Sequence, residues 1–300
     1  MKQFHFFSLM LLTTFLMGSS FAVIKFGLPY TSPLLLAALR FVSAGILMAL
    51  IVLMLKRPHP HTRKQWLHIS LIGALQTAGV MGCIFLSLRT ITASESSILT
   101  FSNPLLVIIL GTLFFQQRYA VTQWIGVLFG FIGVFFTMGA TLQLEIGIWI
   151  GFCGAIFWAF ATHLTKRWGA TLDVWVLSAY QMLVGGVLLL IASFLLEEPF
   201  LIVNASSIAI IAWLSIMSSI VQFALWFYLL QQGEPGKTSS FLFLAPFFGV
   251  VSGALLLNDP LSPTLYIGGV FIIVGIYLVN RTFSSKQLRF LKKLFGKTTA

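Results

Sequence analysis

The chain has 300 residues, 58% of them hydrophobic and only 8% charged, with a net charge of +11. A water-soluble domain carries roughly 25% charged residues, so a soluble enzyme or binding module is excluded and a membrane-embedded chain is indicated. The basic residues lie scattered between apolar segments and form no stripe with interleaved aromatics, which removes nucleic acid as a partner.

A helix needs about 20 apolar residues to cross the hydrocarbon core. Ten such segments follow one another, at about 6–26, 33–55, 66–88, 96–116, 121–139, 146–167, 174–195, 206–230, 238–257 and 262–280. The separators are short and polar: "KRPHPHTRK" at 56–64, "LEEP" at 196–199, "QQGEPGK" at 231–237 and "NDPLSP" at 258–263. Barrel strands would be half as long and alternate in polarity. The pattern predicts an all-α integral membrane protein of ten transmembrane helices. Small residues near Ala22 resemble a signal cleavage site, yet a secretory signal should release a chain of ordinary polarity. Cys83 and Cys153 lie inside apolar runs, give no disulfide framework and read as buried small hydrophobes.

Lysine and arginine in short loops set orientation. With the amino terminus inside, 15 of the 18 basic residues fall on the cytoplasmic side, leaving Lys25, Arg40 and Arg89. Glu95, Glu145, Glu197, Glu198 and Asp259 fall outside. Both termini are then cytoplasmic, in a multi-pass protein of the cytoplasmic membrane. The tail "FSSKQLRFLKKLFGK" reads as a basic amphipathic segment on the anionic inner leaflet or as a solvated tail.

Residues 104–137 align without gaps on 246–279, matching Pro104 with Pro246, Gly111 with Gly253, Gly126 with Gly268 and Gly133 with Gly275. At nearly the same offset Lys25 meets Lys166, and Arg40 meets Gln181. The chain is therefore two five-helix repeats, residues 5–139 and 146–281, followed by the tail 282–300. Five is odd, so the second repeat enters from the opposite face: the repeats are inverted. The first helix has a counterpart in the sixth and is expected to be retained. Lys25 and Lys166 close equivalent helices, either anchoring their ends by snorkelling or serving transport.

Ten spans in two inverted repeats, "GSSFAVIK", "LLLAALRFVSAGIL", "SNPLLVIILGTLFF" and the glycine-spaced fifth and tenth helices resemble the EamA family of the drug/metabolite transporter superfamily. The resemblance covers about residues 5–281 and its motifs do not point to a substrate. It implies a metabolite or drug transporter, often an exporter, with a central cavity and alternating access. Met17 stands where the family commonly has tryptophan, while Trp158 keeps the aromatic in the second repeat. Gln117 and Asp259 replace its usual glutamates.

Inverted repeats often bind substrate near the midplane, where helices are interrupted. Pro104 and Pro246 each lie about eight residues into a span, roughly 12 Å deep, and are expected to free the carbonyls of Thr100 and Leu242. Arg40 is the most expensive residue, at about +3 kcal/mol for an arginine at the bilayer centre; it snorkels, binds a carboxylate or braces the fold. Gln76, Asn103, Gln181 and Gln222 are uncharged polar residues within spans, suited to a substrate or to interhelical bonds. Trp158, Trp226 and Tyr228 suit an apolar cavity or plain packing. His163 is a candidate proton group or a structural histidine. GxxxG spacings at Gly126/Gly130, Gly147/Gly151 and Gly249/Gly253 read as close helix packing.

No P-loop, H-E-x-x-H or paired acid motif is present, so no enzyme activity, cofactor or metal is expected. A small-molecule substrate and the lipid bilayer are the expected partners, and a homodimer is left open. The function read from this pattern is a secondary transporter for a small amphipathic solute, amino-acid-like or a drug, acting in efflux. The alternative is a channel-like or lipid-moving protein. Coupling through His163, through Asp259, or through no ion at all stays open.

Overall fold

Apolar runs in lipid become helical because the bilayer offers backbone N–H and C=O groups no other partner. The computed structural model describes residues 3–137, 145–169, 171–232, 238, 241–259 and 263–280. Among them the chain forms ten helical spans. In order these are α1 (Gln3–Gly27), α2 (Pro33–Met54), α3 (Arg63–Ser87), α4 (Ala93–Phe115), α5 (Val121–Thr137), α6 (Ile146–Gly169), α7 (Val174–Leu196), α8 (Ala205–Gln232), α9 (Leu244–Leu257) and α10 (Pro263–Asn280). The basic tail 282–300 lies outside the described residues.

Helix starts follow local chemistry. Pro33 opens α2, where its missing N–H leaves nothing unsatisfied. Thr62 with Gln65, Thr92 with Glu95 and Asn204 with Ser207 form reciprocal capping boxes at α3, α4 and α8. The Asp173 carboxylate caps α7 by accepting from Trp175 and Val176 N–H at 2.9 and 3.2 Å.

The ten expected spans are present but unequal. Seven are long and apolar enough to cross a membrane, whereas α5, α9 and α10 carry shorter apolar stretches. The reason is visible at α9. A 3₁₀ turn, Phe241–Phe243, precedes it, and left-handed Asn258 ends it.

The repeat shows in detail. Gln116 and Asn258, at equivalent places after α4 and α9, are both left-handed, with φ of 53° and 54°. The next N–H in each case bonds to the matched glycine carbonyl, Gln117 to Gly111 at 2.9 Å and Asp259 to Gly253 at 3.2 Å. α2 packs on its own counterpart α7, and α5 on α10. The α1–α9 contact is mirrored by α6–α4, and α3–α6 by α8–α1. The fold is thus a pair of inverted five-helix repeats about a pseudo-twofold axis. The outer faces carry exposed Leu, Phe and Ile, such as Leu53, Leu195 and Phe194, as a lipid-facing surface requires.

The glycine pairs do what their spacing suggested. A Cβ on Gly126 would lie 2.6 Å from the Gly275 carbonyl oxygen, and one on Gly133 would lie 2.7 Å from that of Gly268. These glycines let α5 and α10 touch backbone to backbone.

Candidate functional site

The centre of the molecule is shaped by two π-helical segments that sequence reasoning missed, Gly73–Gly79 in α3 and Ile216–Val221 in α8. They occupy equivalent positions in the two repeats. A π turn reaches back five residues instead of four. Val80 N–H therefore bonds to the Leu75 carbonyl, and Gln222 N–H bonds to that of Met217.

Gln222 N–H so passes over the Ser218 carbonyl, which accepts a hydrogen bond from Arg40 Nη2. Arg40 comes from α2, and its Nε donates to Ser219 Oγ at 2.7 Å. Its guanidinium carbon lies 4.6 Å from the Phe41 ring centroid, a cation–π distance. Arg40 is 1% exposed, so it neither snorkels nor meets water, and its Nη1 has no partner. The counterpart Gln181, on α7, accepts from Thr77 Oγ1 of the other π segment at 2.6 Å, and its Nε2 is unpartnered. Each repeat thus reaches from its second helix into the third helix of the other.

Beside Arg40 lies a buried cavity of about 20 Å³, room for about one water. α1 contributes Met17, Ser20, Phe21 and Ile24; α3 contributes Met81 and Ile84; α4 contributes Thr100 and Phe101. Arg40, Trp158 of α6 and Gln222 of α8 complete the lining. Met17 and Trp158 are repeat counterparts, so both halves face this space through equivalent positions. Phe101 packs on Trp158 with centroids 5.5 Å apart, and Trp226 meets Trp158 edge-on at 6.1 Å. Four lining residues carry a buried polar atom without a partner: Arg40 Nη1, Thr100 Oγ1, Trp158 Nε1 and Gln222 Oε1. Buried polar groups are normally satisfied, so four orphans around one small space single it out as the candidate site.

The remaining candidates lie apart from this lining. Trp226, also with an unpartnered Nε1, is buried behind Trp158. Gln76 is buried in the π segment of α3, and Tyr228 is half-buried on α8. Asn103 Nδ2 donates to the Ala155 carbonyl at 3.5 Å. Pro104 and Pro246 are buried, but neither lines the cavity. Both stand just past a change of course, at Phe101–Ser102 in α4 and at the 3₁₀ turn before α9. Pro104 sits in the first turn of the renewed helix, where its missing N–H frees no carbonyl. His163 Nε2 bonds to the Val107 carbonyl at 2.8 Å, and its ring stacks on Phe115 at 4.4 Å, away from the cavity. Thr100 was legible only as a neighbour of the proline. Ser218 and Ser219 had a faint signal, a polar pair in an apolar span.

Asp259 accepts from Ser94 N–H at 3.3 Å and Ser94 Oγ at 3.1 Å, at the start of α4. Its counterpart Gln117 accepts instead from the Tyr119 hydroxyl. The lysines also match: Lys25 Nζ donates to the Ile91 carbonyl at 2.8 Å, and Lys166 Nζ to that of Gln231 at 3.5 Å. Both tie the end of a repeat's first helix to the chain at the end of its third.

Two inverted five-helix repeats around a buried chamber at their junction define a class, the multi-pass membrane transporters. The chain belongs to the EamA-like transporter family, whose profile matches residues 7–139 and 145–281, one copy per repeat. It is similar to the uncharacterized transporter YvbV of Bacillus subtilis, 30% identical over 269 residues, covering 88% of this chain and 87% of that one. It is also similar to the uncharacterized transporter sll0355 of Synechocystis, 28% identical over 305 residues, covering 94% and 92%. The uncharacterized inner membrane transporter YedA of Escherichia coli is 26% identical over 268 residues, covering 88% and 86%. A protein crystal structure shares the fold with a TM-score of 0.72 at 20% identity, covering 90% of this chain and 96% of that one.

Proposed function

We propose that the chain is a secondary carrier that moves a small amphipathic metabolite out of the cytoplasm by alternating access. The substrate is held in the cavity between the repeats 5–139 and 146–281. The observation that carries this reading is the set of four unpartnered polar atoms around one buried space, set among Met17, Phe21, Phe101 and Trp158. Apolar walls with a few placed polar groups are the composition of a small-molecule site. Arg40, Trp158 and Gln222 touch the substrate, with Thr100 and Phe101 beside them. Gln76, Asn103, Gln181, Trp226, Tyr228, Pro104 and Pro246 act from around the cavity, and His163 holds α6 to the Val107 carbonyl.

The pseudo-twofold arrangement supports alternating access, because equivalent contacts can exchange between the two faces. Outward direction follows the family resemblance, not any residue of the cavity. Both termini are placed in the cytoplasm on the distribution of lysine and arginine. The test is counterflow of labelled candidate solutes in proteoliposomes. A carrier shows saturable exchange, and Trp158→Ala loses it while the protein stays folded; unchanged affinity and rate in that variant place the site elsewhere. Uptake into everted vesicles, against none into right-side-out ones, tests the direction.

A further inference from the structure

We propose that the substrate is a small monoanion, a carboxylate on an apolar body, and that Arg40 Nη1 is the donor that receives it. This rests on the reading of the cavity as the substrate site. Arg40 is the one ionisable residue among those lining the cavity, and it is fully buried. Two of its nitrogens are occupied, Nε by Ser219 Oγ and Nη2 by the Ser218 carbonyl, leaving Nη1 with no partner. A guanidinium stays protonated, and hydrogen bonds to neutral groups do not cancel its charge. A buried charge calls for a counter-charge.

The protein supplies none among the described residues. Glu95, Asp173, Glu197 and Asp259 are engaged at the N-terminal ends of α4, α7, α2 and α4 respectively. Glu145 and Glu198 are exposed. The ion pair found there, Arg57 with Asp173 at 3.6 Å, leaves Arg40 out. The counter-charge is therefore brought by the ligand. With Nε and Nη2 taken, Nη1 can make one charge-assisted hydrogen bond to a carboxylate oxygen.

The surrounding orphans agree with that choice. Trp158 Nε1 is a donor and the Thr100 hydroxyl can donate, so either can meet the second carboxylate oxygen. Gln222 Oε1 is an acceptor and suits a hydroxyl or N–H on the same ligand. The repeat sets the stoichiometry at one charge, because the counterpart of Arg40 is the neutral Gln181. The cavity has room for about one water, so the ligand fits only when the halves part.

The test uses the full chain in nanodiscs in chloride-free buffer, read by tryptophan fluorescence and by thermal unfolding. The probes are phenylacetate, phenyllactate and indole-3-acetate, each beside its neutral amide, and chloride alone. The expected result is that the acids bind at least about tenfold more tightly than their amides, the scale of one hydrogen bond to a charged group. Arg40→Gln abolishes the preference and Arg40→Lys keeps part of it. Should Arg40→Gln fail to fold, the acid–amide comparison on the unmodified protein decides alone. Equal binding of acids and amides overturns the charge assignment while leaving the cavity as the site. Binding of no probe overturns both readings. Chloride reproducing the effect of the acids overturns the carboxylate.

Discussion

Gly45 and Gly186 are repeat counterparts, and each lets its helix press against the backbone of the other across the α2–α7 crossing. A Cβ on Gly45 would lie 2.7 Å from Leu183 N, and one on Gly186 would lie 2.7 Å from Val42 N. The crossing brings Arg40 and Gln181 to bear on opposite π segments, so its spacing sets the geometry of the whole centre.

Gly186→Val is expected to force α2 and α7 apart, lowering stability by about 1–3 kcal/mol as overpacking does, and to lose transport. Thermal unfolding in detergent measures the first effect and counterflow the second. Gly269→Ala on α10 is the control, because nothing lies within 4 Å of its Cβ position. A valine at 186 that leaves the melting temperature unchanged refutes the close crossing.

His163→Gln is expected to cost about 1 kcal/mol, the usual worth of a hydrogen bond, here the one to Val107. Any response of transport to an imposed pH gradient should persist in the variant. Loss of that response, with the fold intact, would return His163 to the transport pathway.

Asp259→Asn is expected to reduce stability by about 0.3–1 kcal/mol, because a negative charge at the start of α4 is replaced by a neutral amide. Ser94→Ala removes the hydroxyl donor but keeps the charge and the Ser94 N–H bond, so it should cost less, and the double variant should fall short of the sum. Full additivity in thermal unfolding would mean the two do not act together.

Orientation is tested by labelling single cysteines in a chain lacking Cys83 and Cys153. A cysteine at Glu197 is expected to react with an impermeant reagent from outside, and one at Lys64 only after the membrane is opened. The reverse pattern inverts the assignment.

The spans and the repeat were legible because lipid imposes long apolar runs, and because prolines, glycines and lysines interrupt them at one constant offset. Arg40, Trp158 and Gln222 were legible for the same reason: a polar or amphipathic side chain in such a run is costly enough to need an explanation. The prolines misled. Depth along a span says nothing about which way a side chain faces, and Pro104 and Pro246 reach the right depth without lining the cavity. The π segments left no trace, since one residue gained in a helix that is apolar all round alters no visible periodicity. Met81 and Phe101 could not be told from lipid-facing residues, because the bundle centre and the bilayer select the same side chains. The shortness of α9 was hidden too, the apolar run continuing through the 3₁₀ turn before it.

The loops joining the repeats at the two faces are counterparts fastened by different chemistry. On one face Ser32 N–H bonds to the Phe200 carbonyl, Ile202 N–H bonds to that of Tyr30, and Glu197 accepts from Leu34 and Leu35 N–H. On the other, Arg57 meets Asp173 through side chains, with Arg57 42% exposed. Salt screens an exposed pair of charges and leaves a backbone ladder almost untouched. In the alternating-access cycle proposed above, the two half-cycles are therefore expected to respond unequally to ionic strength. Raising salt is expected to weaken the Arg57–Asp173 pair, though not the His59–Tyr180 contact beside it, and so to tilt the resting population toward the state open on that side.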